Sequence, residues 1–357
     1  MGKSTGGIGN VTPNSRLLEM SMAYSRSRML CATARLGVAD ALGSEERSVE
    51  ELAKSCQADR GSLYRLLRTL ASLGVVAETV PGRFVLTPLG DPLRKDAPNS
   101  AWPGVVFWSD LLAEDWSYLT DCVRTGKTAG QLMESAGITP RWTRDPEFGA
   151  IFRAVMGTAP AEDYMPIVRS WNFSGRRVVA DLGGGGGALI RAVLKSYPDV
   201  DAMLVDRPES LDDAVASFAA EELTNRCKLV SADLVDSVPG GADVYLMKHV
   251  LHGYGDDVAV RILNNCRAAM APGGVLLIIE FVLPAVISEA DPNLEGRLMS
   301  DLNMMAVTGG KERSAADWKT LLDAAAFQMQ RIIPVIGIDG SPQEVSIVEV
   351  LPRTAES

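Results

Sequence analysis

The sequence predicts an α/β protein with a Rossmann-like, mostly parallel sheet that ends in an antiparallel hairpin. A mainly helical, winged-helix N-terminal domain precedes it. Three observations carry this expectation. First, an apolar run, Arg177-Val178-Val179-Ala180, enters a glycine loop, Asp181-Leu182-Gly183-Gly184-Gly185-Gly186-Gly187, which opens into a helix-like stretch at 188–194. That unit exposes bare backbone to a ligand at a helix N-terminus. Second, strand patterns at 177–181, 201–206, 227–231, 243–248 and 275–281 alternate with helical ones. Third, two β runs, 330–337 and 344–351, are separated only by a turn containing Asp339-Gly340-Ser341-Pro342, which makes a hairpin rather than another parallel crossover.

From the N-terminus, residues 15–42 show helical periodicity with a stop at Gly43. Ser48 and Glu51 form a capping box for a short helix, and a second helix over 60–73 closes at Gly74. Runs at 75–78 and 83–87 flank a Pro81-Gly82 turn and read as a small hairpin. Helix, turn, helix and hairpin make the winged-helix pattern. Residues 100–170 are mostly helical, and Trp102, Trp108, Trp116 and Trp142 fall there. The expected organisation is therefore a domain at 1–100, a helical linker or substrate lid at 101–172, and a cofactor-binding domain at 173–357.

Composition narrows the class. Hydrophobic residues make up 46% of the 357 and charged residues 22%, ordinary for a globular protein. The net charge of −10 argues against general nucleic-acid binding, although residues 1–100 carry a net +3. Cys31, Cys56, Cys122, Cys227 and Cys266 are scattered without a C-x-x-C pair, which fits a reducing compartment and no structural zinc. The apolar run 275–287 is interrupted by Glu280 and is too short for a bilayer. The polar, Gly-rich start does not read as a signal peptide, and Gly6 stands where myristoylation wants Ser or Thr. A cytoplasmic protein with no membrane partner is expected. Gly126-Lys127-Thr128 and Gly2-Lys3-Ser4 resemble P-loop ends, but one lacks the leading glycine and the other a preceding strand.

Two cofactors compete for the glycine loop, a dinucleotide and S-adenosylmethionine, since both lie across the C-terminal strand edges of such a sheet. Asp206, after the second strand, suits ribose hydroxyls in either case. Asp181 tends to repel a pyrophosphate but suits an ammonium and a sulfonium. Asp233, after the third strand, is placed for the adenine amino group. Acids at three strand ends favour S-adenosylmethionine over a dinucleotide and over a loop that serves packing alone.

Both histidines of the chain fall in Lys248-His249-Val250-Leu251-His252, after the fourth strand. Incidental packing is one reading. A metal is another, but no H-E-x-x-H pattern or cysteine cluster accompanies the pair. The sharper reading is a general base near neutral pKa, oriented by a carboxylate, with Glu280 and Glu312 as candidates.

These residues resemble the plant caffeate-type and bacterial small-molecule O-methyltransferases, including enzymes that tailor aromatic polyketides and other antibiotics. The resemblance runs over nearly the whole chain. Its motifs, in order, are the glycine loop, Val205-Asp206-Arg207-Pro208, Ala232-Asp233-Leu234, Lys248-His249-Val250-Leu251-His252, Ala271-Pro272-Gly273-Gly274 and Gly309-Gly310-Lys311-Glu312-Arg313. It implies a class I methyltransferase fold, a homodimer through the N-terminal domain, and an aromatic small-molecule substrate. It implies S-adenosylmethionine held by Gly183, Asp206, Asp233, Leu234 and Lys248, to which the reading of the glycine loop adds Asp181 and Gly185. It further implies His252 as base, Glu280 and Glu312 as its supporting acids, and Met156, Asn303 and Val307 at the substrate; Trp108, from the aromatic and Met-rich middle, is a substrate candidate that ordinary core packing explains equally well, and no metal is expected. His249 stands where the family often has Trp or another residue. The family usually continues His-Asp-Trp, whereas this chain has His252-Gly253-Tyr254, which implies a base loop held differently. Some bacterial relatives hydroxylate, decarboxylate or rearrange their substrates instead of methylating them. A winged-helix regulator is the rival of another class, with Arg60, Arg65 and Arg68 on one helix, though a solvated basic face explains them more simply.

Overall fold

The computed structural model describes residues 12–157, 160–288, 291 and 293–353; Gly2-Lys3-Ser4 and Gly6 lie outside them. The chain divides into two compact units. One holds the described residues through Glu114 together with Arg141–Val155, and the other holds Asp115–Pro140 together with the described residues from Met156 onward.

In the first unit the long helix Pro13–Arg35 is capped by Thr12, whose side chain accepts from the Ser15 amide. The periodicity predicts one helix over 15–42, but the chain breaks at Leu36-Gly37 and resumes as Val38–Leu42. Gly37 takes φ 64°, a left-handed conformation that interrupts the helical hydrogen bonds while leaving the apolar spacing intact. Strand β1 (Arg47–Ser48) leads into helix Val49–Ser55, where Ser48 and Glu51 form the expected reciprocal capping box. Helix Arg60–Ser72 follows, then β2 (Val76–Val80) and β3 (Arg83–Leu86), giving an antiparallel sheet of order β1-β3-β2. Leu63, Leu67 and Leu70 bury one face of the helix against Val38, Leu52 and Phe84. Arg60 pairs with Glu50 at 2.5 Å and Arg68 lies over the Tyr64 ring, so both have partners within the unit.

The second unit is built on β4 (Val178–Leu182), β5 (Asp201–Asp206), β6 (Cys227–Ser231), β7 (Val244–Lys248), β8 (Val275–Leu283), β9 (Arg313–Ser314), β10 (Phe327–Ile336) and β11 (Pro342–Pro352). The main sheet runs β10-β11-β8-β7-β4-β5-β6, with β9 paired to the end of β8. The β4–β8 pairings are parallel, while β11 runs antiparallel to both β8 and β10. The five expected parallel strands and the terminal hairpin are all present. The order reverses between β4 and β7, so the C-terminal ends of β4, β5, β6, β7 and β8 form one edge where ligands bind in such sheets. Two apolar layers, one on each face, fix that edge; Ile190, Leu204 and Phe218 belong to one, and Leu263, Trp318 and Phe327 to the other.

All five cysteines are buried free thiols. The false P-loop end is helix punctuation: Gly126 closes helix Leu119–Thr125 in a left-handed conformation, and Thr128 caps helix Ala129–Ser135. Among the described residues no helix is long and apolar enough to cross a membrane.

Candidate active site

The glycine loop joins β4 to helix Ala188–Ser196, the first helix behind the sheet edge. Asp181 is the fourth residue of β4 and is 1% exposed. Neither carboxylate oxygen has a hydrogen-bond partner among the described residues. Burial, reinforced by the charge of Asp206, pushes its pKa up to about 7 against the partial relief of Lys248. A buried carboxylate in this condition calls for a cation. Gly184 has to be glycine because a Cβ there would overlap the Asp181 carboxylate and Leu204. Gly185 and Gly186 face open space instead, and the Gly185 amide donates to Asp206 Oδ2 at 2.8 Å. Asp206 and Asp233 end or follow β5 and β6 on the same edge. Leu234 is buried beside Gly183, and Lys248, at the end of β7, places its ammonium over the Tyr164 ring at 5.3 Å. Asp181, Gly183, Gly185, Asp206, Asp233, Leu234 and Lys248 thus gather along the ends of four adjacent strands. Residues that present one orphaned buried acid, two further acids and open backbone fit a ligand carrying ammonium and sulfonium charges.

The second half of the site is a short loop after β7. His252 lies in a single 3-10 turn, Leu251–Gly253. Its Nδ1 is 2.8 Å from Glu312 Oε1, which also accepts from Ser300 Oγ at 2.8 Å. A carboxylate can only accept, so Nδ1 carries the proton and Nε2 is left as the basic atom. Either glutamate was an orienting candidate, and the geometry separates them. Glu280, wholly buried in β8, lies 3.8 Å from His252 Nδ1. Its Oε1 accepts the amides of Val250 and Leu251 at 3.0 and 3.1 Å, and that of His252 at 3.4 Å, while its Oε2 is 3.3 Å from His249 Nδ1. Glu312 orients the imidazole; Glu280 holds the loop. One ligand atom each from His249, His252 and Glu280 falls within 4.8 Å of the others, as a metal would need. Their hydrogen bonds account for that convergence without one.

Burial works against a charged His252, but the hydrogen bond to Glu312 and the charges of Glu280 and Glu312 outweigh it, so its pKa is raised above 6.5. A base works only when neutral, so activity should rise as pH climbs through that raised value. Glu312→Gln removes the charge and leaves a weaker partner. It should lower turnover about 10–100-fold and move the acid limb of the pH–rate profile to lower pH. A profile recorded from pH 5 to 9 checks both, and an unmoved limb would deny Glu312 this role.

Gly253-Tyr254 implied a base loop held by other means, and the structure supplies them. Arg313 is fully buried and donates to the carbonyls of Leu251 and Tyr254, each at 3.0 Å, and to Asp256 at 2.9 Å. The Lys311 amide donates to the His252 carbonyl at 2.9 Å. A side chain at Gly310 would overlap that same carbonyl, so Gly310 lets this segment approach the base loop closely. Arg313→Met would remove the side-chain donor to the Leu251 and Tyr254 carbonyls and leave Asp256 paired with Lys311 alone. It should cost about 2–4 kcal/mol, read as a lower urea midpoint, with turnover falling alongside.

Of the four expected substrate residues, Met156, Asn303 and Val307 belong to the second unit and Trp108 to the first. Asn303 is 5% exposed and accepts from Trp116 Nε1 at 3.1 Å. Val307 lies in a π-helical turn, Met304–Thr308, and packs near Cys122, Met133 and Ala306. Met156 is exposed at the end of helix Pro146–Gly157. Trp108 belongs to the first unit, where Phe107 packs against its ring at 5.4 Å. Sequence reasoning did not find Ser300 or the buried role of Arg313, and it gave His249 no function. Arg313 was signalled by its place beside Glu312; nothing in the sequence singles out Ser300.

With this geometry in place, the chain matches two family models: an O-methyltransferase domain over residues 116–328 and an O-methyltransferase dimerisation domain over residues 18–96. The chain belongs to the O-methyltransferase family. It is similar to the phenazine O-methyltransferase PhzM of Lysobacter antibioticus, 33% identical over 344 residues that cover 96% of this chain and 98% of that one. It is likewise similar to the O-demethylpuromycin-O-methyltransferase of Streptomyces alboniger, 33% identical over 94% of this chain and 89% of that protein. Among solved structures it resembles NcsB1, an O-methyltransferase from neocarzinostatin biosynthesis crystallised with S-adenosylmethionine and 2-hydroxy-5-methyl naphthoic acid. The TM-score is 0.75 at 28% identity, covering 92% of this chain and 96% of the other. This O-methyltransferase therefore has the class I fold and uses S-adenosylmethionine, as the three strand-end acids favoured. The non-methylating and DNA-regulator readings find no support in these relatives.

Proposed function

We propose that this O-methyltransferase methylates a hydroxyl of an aromatic small molecule in secondary-metabolite, antibiotic-type biosynthesis, as a cytoplasmic homodimer. The observation that carries the chemistry is the His252–Glu312 pair: an imidazole held at 2.8 Å by an acid, with its Nε2 free and its loop pinned by Glu280 and Arg313. Bound S-adenosylmethionine supplies an activated methyl group on sulfur, so the acceptor oxygen needs only to lose its proton. Asp181, Gly183, Gly185, Asp206, Asp233, Leu234 and Lys248 would hold the cofactor; Asp181 gains there the positive charge its burial lacks. His252 Nε2 takes the hydroxyl proton, and Glu312 and Glu280 stabilise the imidazolium that results. Asn303, Val307, Met156 and Trp108 are proposed to contact the acceptor. The aromatic preference is supported by the named substrates of the relatives above and by Phe281, which packs against His249 beside the base.

The homodimer is supported by the dimerisation-domain match and by helix Pro13–Arg35, which leaves Leu17, Leu18, Met20, Met22 and Tyr24 each more than half exposed. Incubation with methyl-labelled S-adenosylmethionine and a panel of phenols tests the reaction. Label in a methyl ether product is expected, and an altered but unlabelled product would overturn the proposal.

A further inference from the structure

A second imidazole stands beside the base. His249 Nδ1 lies 3.3 Å from Glu280 Oε2, as His252 Nδ1 lies 2.8 Å from Glu312 Oε1. The two ring centroids are 5.1 Å apart, with the planes tilted by 35°. Phe281 packs edge-on against the His249 ring at 5.0 Å. Both glutamates are buried, while the two imidazoles keep 26% and 17% of their side-chain surface open. His249 also sits at φ 52°, a left-handed conformation uncommon for a residue with a Cβ and one that surrounding contacts must impose. The backbone is thus bent to bring a second imidazole–glutamate pair alongside the first.

The two pairs differ in charge behaviour. Burial holds His249 below 6.5, with Lys248 and His252 adding to the effect and Glu280 only partly opposing it. When His252 takes a proton, His249 stays neutral. Because Glu280 accepts from Nδ1–H, the Nε2 of neutral His249 can only accept a hydrogen bond. With ring centroids 5.1 Å apart, the two imidazoles lie close enough to meet neighbouring groups of one acceptor. His249 also lines a cavity of about 680 Å³, together with Lys248, Tyr164, Ile167, Phe281 and Val345.

We propose that His249 is a recognition residue for a hydrogen-bond donor, hydroxyl or amine, on the carbon next to the hydroxyl that is methylated. This rests on the methyl-transfer reading above, with His252 as the base. The acceptor is then a catechol-type or ortho-aminophenol-type aromatic, and one whose neighbouring group is already methylated binds less well. His249 makes no bond to the reacting atoms; it orients the ring so that the correct hydroxyl meets His252.

The chain has only two histidines, so histidine-selective ¹⁵N NMR reads each imidazole separately. The probes are 4-nitrocatechol, 2-methoxy-4-nitrophenol and 4-nitrophenol, added to wild-type protein saturated with S-adenosylhomocysteine. 4-Nitrocatechol should bind about tenfold more tightly than either of the others, the worth of one hydrogen bond, and should shift both histidine resonances. The other two should shift His252 alone. In His249→Phe the preference should vanish while S-adenosylhomocysteine affinity persists, which shows the variant folded. Equal binding of the three phenols, binding of none, or a preference that survives in His249→Phe would overturn the proposal. Failure to bind S-adenosylhomocysteine would remove the methyl-transfer reading as well, whereas its binding without phenol discrimination would remove this inference alone.

Discussion

His252→Ala lowers turnover by about 10²–10⁴-fold while affinity for S-adenosylhomocysteine stays within a few-fold of wild type. The separation follows from where the two functions sit. The cofactor-side acids lie at the ends of β4, β5 and β6, whereas His252 is on the loop after β7 and makes its bond to Glu312, beyond β8. Removing the imidazole therefore takes away the proposed proton acceptor without disturbing Asp181, Asp206 or the glycine loop. The loop itself is held by main-chain bonds to Glu280 and Arg313, which the substitution leaves intact. Residual turnover remains because alignment of an activated methyl with an oxygen is itself a large part of catalysis. Single-turnover rates with calorimetric binding of S-adenosylhomocysteine check the result. Unchanged turnover in both His252→Ala and His252→Gln would remove the base assignment.

Asp181→Asn has opposite effects on the ligand-free protein and on its complex. The Asp181 pKa is raised from 3.8 to about 7. For an acid shifted in this direction the folded state holds its proton more tightly than the unfolded chain does. The resulting penalty is absent below pH 4, grows as pH rises, and is complete above about pH 7. It amounts to about 4 kcal/mol at the upper end by linkage. The asparagine, isosteric and uncharged, escapes this penalty. The ligand-free variant should melt at higher temperature than wild type at pH 8, with the difference shrinking towards zero at pH 4. The same change removes the buried negative charge proposed to meet the cofactor, so S-adenosylmethionine affinity should fall roughly 10–100-fold. For wild type that affinity should weaken as pH falls below 7 and the carboxylate gains its proton. Thermal melts at pH 4, 6 and 8, with and without S-adenosylmethionine, separate the effects. A variant less stable than wild type at pH 8 would show that Asp181 is not held at such a penalty.

How far the sequence reached depends on the kind of signal. The central parallel strands were legible because a buried strand carries an apolar run, as Ala202–Val205 does in β5, and 201–206 and 227–231 match β5 and the edge strand β6 residue for residue. The Ser48–Glu51 capping box was legible because it is a local contact over three residues. The break at Leu36-Gly37 was not, since apolar spacing continues through it and only the conformation of Gly37 records it. In the site, the candidate acids and histidines were singled out by position after strands. Their partners are 28 to 62 residues away in the chain, in contacts such as Val250–Glu280, His252–Glu312 and Leu251–Arg313. No local pattern encodes such distances.

The sequence by itself determined the alternating architecture, the glycine loop with Asp181, Asp206 and Asp233 at strand ends, and His252 as a candidate base. These are properties of periodicity and residue chemistry within short windows. Only the tertiary structure decided that Glu312 orients His252 while Glu280 secures its loop and faces His249, and that Arg313 does the work implied by the unusual Gly253-Tyr254. Those assignments rest on differences of about an ångström between side chains from separate strands, such as 2.8 against 3.8 Å from His252 to the two glutamates. Such differences arise when packing fixes the sheet edge, because a hydrogen bond is lost over that same distance.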